Sequence, residues 1–169
     1  MDPKGIKWAI KLAEETGTKL LLSGNIEDME FYNRDVKPHL SDKIKWIGPL
    51  SPELILTKPE IAALMQKARA FLMTINWYEP FGLVMTEAMA CGTPVIGFDR
   101  GAVKELIVDG KTGFVVPPEK GIEGLKEALS KIAFIKPQDC HDHVVKNFST
   151  QTMVDNYEKT YKEIINSHK

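Results

Sequence analysis

Residues 77–101, WYEPFGLVMTEAMACGTPVIGFDRG, decide how this chain is read. From Leu83 to Cys91 the run is apolar on almost every side, and Thr86 and Glu87 are its only strongly polar side chains. A helix apolar all round is expected to be buried. Pro80 and Gly82 open it, and Gly92 closes it before Pro94 and the apolar run Val95 to Phe98. The unit reads loop, helix, turn, strand.

At the amino end of such a helix the first N–H groups are unpaired and carry about half a positive charge, and Gly82 leaves room for close approach. That tip suits phosphate. Glu79 stands just before the helix and Glu87 on its second turn, at most about 12 Å further along at ~1.5 Å per residue. An ionised carboxylate in a buried helix is costly unless it is paired or faces a wet cleft, so Glu87 calls for a partner. A nucleotide diphosphate sugar meets both demands, with hydroxyls for the acids and phosphates for the amides. The bland alternatives are a core carboxylate bonded to backbone amides for Glu87 and a helix-start residue favoured by the dipole for Glu79.

Outward from this stretch, helices and short apolar runs alternate. Asp2 and Pro3 start a helix carrying Ile6, Ala9, Ile10 and Ala13 at helical spacing until Gly17. Strands are expected at 19–24, 44–48, 70–75, 95–98 and 113–116, and further helices at 27–40 (broken near Pro38), from Pro59, at 103–108, 122–134 and 150–166. Strands alternating with helices argue for a parallel sheet covered on both faces, whose ligands sit at the strands' carboxyl ends. The loops after Gly24, Ile47 and Ile75 converge there.

At 169 residues the chain reads as one domain with room for its own core. A formal charge of −1 with 27% charged residues points to neither nucleic acid nor an acidic lipid surface. No basic amphipathic helix argues for peripheral membrane association, which stays open. Two cysteines, far apart, make no disulfide framework, and with no signal-like or membrane-spanning run the expected location is cytoplasmic. Cys140, His141 and His143 point in different directions on a helix and lack a second ligand pair, so no metal is expected. Trp8, Trp46 and Trp77 read as core or rim packing.

On E-x7-E, standing as Glu79 to Glu87 inside EPFGLVMTEAMACGTPVIGFDRG, and on VKELIVDGKTGFVVPP downstream, the chain resembles the group 1 glycosyltransferases (glycosyltransferase family 4) of GT-B fold. The resemblance runs from about Lys4 to Tyr161. It implies an α/β, doubly wound parallel sheet, Rossmann-like: the carboxyl-terminal, donor-binding domain, with the amino-terminal acceptor domain absent. The family's first strand, central in the sheet and carrying a Gly-Arg pair, is absent too. Pro3-Lys4-Gly5 matches only the end of the loop after it. The gap is expected to be closed by a neighbouring chain, by a strand-swapped oligomer, or by its flanking strands meeting.

By position, the resemblance makes Glu79 the catalytic residue facing the transferred sugar and Glu87 the ribose ligand. Lys4 would grip the diphosphate, Phe81, Gly82 and Leu83 would act through backbone N–H groups, and Gly24, Asn25 and Gly48 to Leu50 would hold the base. Arg100 and Gly101 follow a strand end near the donor. The implied reaction moves a hexosyl group from a nucleotide diphosphate sugar to an acceptor hydroxyl with retention, without metal or other cofactor. The alternative is a nucleotide-sugar binding or assembly module without chemistry of its own.

Overall fold

In a computed structural model describing residues 2–48 and 56–167, the elements follow in the order α1 (Ile6–Thr16), β1 (Leu20–Leu22), α2 (Met29–Phe31), β2 (Ile44–Trp46), α3 (Lys58–Lys67), β3 (Phe71–Met73), α4 (Leu83–Ala90), β4 (Val95–Phe98), α5 (Val103–Leu106), β5 (Gly113–Val116), α6 (Gly121–Lys131), α7 (Pro137–Asn147) and α8 (Thr150–Ser167). The expected helix at 27–40 is instead three short pieces. Asp28 caps α2 by accepting from the Phe31 amide at 2.9 Å, a π turn follows at Tyr32–Val36, and the 3-10 turn Lys37–His39, holding Pro38, ends it. Among the described residues no helix is long and apolar enough to cross a membrane.

Helix α7 has no bounds in the sequence reading, which sets only Cys140, His141 and His143 on a helix, although Pro137 stands in its first turn. Of its residues only Cys140 and Val144 join the apolar core, too thin a stripe to register as periodicity. It nonetheless packs on α4, and Cys140 is wholly buried there.

The first residues are pinned to the end of β3. The Asp2 carboxylate accepts from the Ile6 and Lys7 amides at 2.8 and 3.0 Å, starting α1. The Asn76 amide donates to Pro3 O, its side chain to Asp2 O, and the Thr74 hydroxyl to Gly5 O. A Cβ on Gly5 would stand 1.6 Å from Thr74 O, and φ there is 67°, so only glycine lets these backbones meet. From this anchor α1 runs back to Gly17 and β1 returns after it, so β1 and β3 point the same way.

Strand pairing is parallel throughout but divides into two sheets. β1 pairs with β2 at Leu20↔Ile44, and β3, β4 and β5 form a second sheet at Phe71↔Val95 and Val95↔Gly113. Strands β1 and β3 do not pair, so the expected direct meeting of these two strands is not found. Two cores follow from this. The larger holds Met85, Met89, Ile96, Phe98, Leu106 and Leu125; the smaller holds Ile10, Leu22, Phe31, Tyr32, Val36 and Ile44. Helix α1 serves both, with Leu12 in the larger, Ile10 and Ala13 in the smaller, and Trp8 edge-on to Phe98 at 5.5 Å.

Candidate functional site

At the carboxyl end of β3 the chain turns through Trp77–Gly82 into α4. Gly82 takes φ 83° as the N-cap, and a Cβ on it would meet Met85 Cε at 2.5 Å and Glu79 Cγ at 3.2 Å. The Glu79 side chain therefore lies against the helix start. Met85 N–H donates to Gly82 O at 2.9 Å, whereas no acceptor among the described residues takes the amides of Gly82, Leu83 or Val84. The tip is open, with Phe81, Leu83 and Val84 all exposed.

The expectation that α4 is buried all round is corrected. Met85, Thr86, Ala88 and Met89 face the core, but Leu83, Val84, Glu87 and Ala90 are exposed, Leu83 by 68%. Among the described residues nothing is packed over that side, so its apolar composition describes a face without its cover. Glu87 shares this face with Leu83, one turn away. Its carboxylate makes no hydrogen bond or ion pair among the described residues, which removes the reading of a core carboxylate held by amides. Burial, together with the nearby Glu87 charge, raises the Cys91 thiol above its ordinary value.

Glu79 is seated by its backbone. Its carbonyl accepts from the Ala102 amide at 2.9 Å, and a bridge links Glu79 with Gly101. A Cβ on Gly101, at φ 63°, would stand 2.2 Å from Glu79 O. The loop after β4 thus fixes the loop after β3, and Gly101 enters as a positioning residue, beyond what a strand-end glycine signals in the sequence. Arg100 stacks its guanidinium 6.0 Å from the Phe98 ring. Lys4 is exposed, with Nζ 5.1 Å from the Trp77 ring centroid, so it reaches the same end of β3.

Gly24 and Asn25 follow β1, and Gly48 follows β2. A Cβ on Gly48 would stand 2.4 Å from Gly24 O, so these two loops touch through backbone. Asn25 is exposed, and Leu50 lies outside the described residues. Trp46, at the end of β2, packs edge-on to Tyr32 at 5.5 Å but leaves its buried indole N–H without a partner. Such an orphan donor costs about 1–3 kcal/mol.

The remaining candidates serve structure. His143 Nε2 lies 2.9 Å from Leu106 O, its ring is edge-on to Phe148, and Phe148 in turn meets Phe81 at 6.1 Å. His141 lies beside Asp142. Burial pushes the Cys140 thiol up to about 11, and it donates to Thr112 O. Among the described residues no group of three His, Cys, Asp or Glu could hold a metal ion.

An unbonded helix tip, two free carboxylates and a cation thus stand at the carboxyl ends of parallel strands in a doubly wound α/β domain. The chain belongs to the glycosyl transferases group 1, whose family profile matches residues 2–147. It is 28% identical over 170 residues to N-acetyl-alpha-D-glucosaminyl L-malate synthase of Bacillus anthracis, covering 94% of this chain and 41% of that protein. Over 67 residues it is 39% identical to D-inositol 3-phosphate glycosyltransferase of Kribbella flavida, 40% of this chain and 16% of the other. Among solved structures, sucrose-phosphate synthase of Thermosynechococcus elongatus superposes with a TM-score of 0.79 at 24% identity, covering 99% of this chain and 44% of that one. Anabaena HepE in complex with UDP and glucose gives 0.76 at 22%, covering 96% and 46%. The chain spans less than half the length of these relatives.

Proposed function

We propose that this chain is the donor-binding half of a retaining glycosyltransferase that moves a hexosyl group from a nucleotide diphosphate sugar to an acceptor hydroxyl. The observation that carries this reading is the open tip of α4, three amides without acceptors, with the unpartnered carboxylates of Glu79 and Glu87 on the same loop and helix. The amides of Gly82, Leu83 and Val84 would donate to the diphosphate oxygens, and Lys4 would supply the charge that stabilises the leaving group. Glu87 would accept from ribose hydroxyls and Glu79 would hold the sugar, while the loops at Gly24 and Gly48 would border the base. The exposed apolar side of α4 fits the second domain that the relatives' length allows for.

Calorimetric titration of UDP, GDP and ADP into the chain tests this directly. Glu87→Ala removes a charge-assisted hydrogen bond worth ~1.5–3 kcal/mol, so binding should weaken roughly 10- to 150-fold. Because Glu87 is exposed, the variant should fold as the parent does. Equal affinities for parent and variant would refute the assignment. Saturable binding with no transfer after the missing half is supplied would favour a binding module without chemistry.

A further inference from the structure

We propose that Phe148 and His143 are positioning residues for the donor loop. With helix α5 they close a clamp that holds Phe81, and through it the amides at the tip of α4, in the conformation that receives a phosphate. What the loop does rests on the donor-binding reading; how it is held does not.

An open helix tip presents its amides usefully only when the residues leading into it are fixed. Gly82, at φ 83°, has no side chain with which to hold the turn, and Tyr78 and Phe81 are exposed. The support comes from elsewhere in the chain. Glu79 O accepts from the Ala102 amide at 2.9 Å, and Ala102 is the N-cap of α5. One turn on, Leu106 N–H donates to Ala102 O at 3.1 Å. Val103 and Leu106 are buried, so this short helix is a firm footing.

The other end of the loop reaches the same footing by a second route. Leu106 O lies 2.9 Å from His143 Nε2. A carbonyl only accepts, so Nε2 carries the proton, and Nδ1 is left to accept from the Asn147 side-chain amide at 3.0 Å. With both nitrogens engaged, the plane of the ring is fixed. It stands 5.4 Å from the Phe148 ring at 76°, and Phe148 stands 6.1 Å from the Phe81 ring at 79°. Both are edge-to-face contacts. Phe81 lies two residues beyond Glu79, so the circuit closes on itself.

Phe81 joins neither apolar core, and its one ring contact among the described residues is Phe148. The contact therefore adds little to the fold and acts on the direction of the loop. Phe148 is held in turn. Its amide donates to Val144 O at 2.8 Å at the end of α7, and the next residue, Ser149, caps α8 by accepting from the Thr152 amide at 3.1 Å. The junction of α7 and α8 thus bears on the donor loop.

Two readouts test the clamp: backbone order parameters of Phe81, Gly82 and Leu83 in the ligand-free chain by NMR relaxation, and affinity for UDP, GDP and ADP by calorimetry. Phe148→Ala is expected to lower the order parameters from about 0.85 toward about 0.6. Binding should weaken roughly 2- to 10-fold, the scale of one edge-on ring pair. His143→Ala should loosen the same three residues. Phe148→Tyr, which keeps the ring, should match the parent in both readouts. Val144→Ala, which trims α7 outside the clamp, should lower stability and leave both unchanged. In a Phe81→Ala background, Phe148→Ala should cost no further affinity, because the clamp acts through that ring. Should Phe148→Ala not fold, Phe148→Leu takes its place, keeping apolar volume without the ring edge. Unchanged order parameters in the Phe148 variant overturn the proposal whether or not a nucleotide binds. So does equal loosening in Val144→Ala, which would make Phe148 plain packing. A parent chain that binds none of the three nucleotides, with the loop loosened in Phe148→Ala, would strike the donor reading and leave the clamp standing.

Discussion

Strand β4 is buried at all four of its residues, whereas in the other sheet Leu22 and Ile44 are buried but their neighbours Leu21 and Lys45 face solvent. Both sheets are parallel and both are fed by helices. The difference lies in cover. β4 has strands on both sides and helices over both faces, while β1 has one partner strand and α1 and α2 on one face. A parallel sheet needs two covered faces, which β4 of the larger sheet has and β1 and β2 of the smaller do not. The small part is tied to α1 by Ile10 and Ala13 in its core, and the surface adds only weak ties, a Lys7–Asp35 ion pair at 3.3 Å and a His39–Glu14 hydrogen bond at 2.7 Å.

The sharpest way to break this comparison is a matched truncation. Leu125→Ala, wholly buried in the larger core, should cost about 2–5 kcal/mol in denaturant unfolding. Leu21→Ala, half exposed, should cost under about 1 kcal/mol. Similar losses would mean that β1 is as well covered as β4. Next in size, Gly101→Ala places a side chain at φ 63° against the Glu79 carbonyl and should cost about 1–3 kcal/mol. It should also weaken UDP binding by displacing the Glu79 backbone on the loop into α4, although it removes no proposed donor ligand. Unchanged affinity would detach Gly101 from the site.

The smallest effect is expected from acid. The hydrogen bond from Arg34, helped by Lys7, holds the Asp35 carboxyl below its ordinary value of 3.8. A carboxyl lowered in the folded state contributes stability above its unfolded value and loses it as pH falls through the folded one. On acidification below that ordinary value, amides of Leu20–Leu22 should open before those of Val95–Phe98, once exchange is corrected for its intrinsic pH dependence. Simultaneous opening would show the two parts to be one cooperative unit.

Much of the fold was legible because it is local. The Val95–Phe98 and Gly113–Val116 strands stand where their bounding Pro94 and Gly113 put them, and α3, expected from Pro59, begins one residue earlier behind a Thr57–Glu60 capping box that the sequence reading does not use. The paired acids and the open helix tip were legible for the same reason, being set by spacing along one segment. α7 was not, because a two-residue apolar stripe becomes a helix face only when α4 lies beneath it.

The order of the strands, the glycine-led entry to α4 and the spacing of Glu79 and Glu87 were therefore determined by sequence alone, since periodicity and turn chemistry act over a few residues. Tertiary structure decided that Glu87 stands in solvent, that Gly101 seats Glu79, and that five parallel strands divide into two sheets. Burial, close backbone approach and strand pairing each depend on what stands across from a residue, and distant parts of the chain supply it.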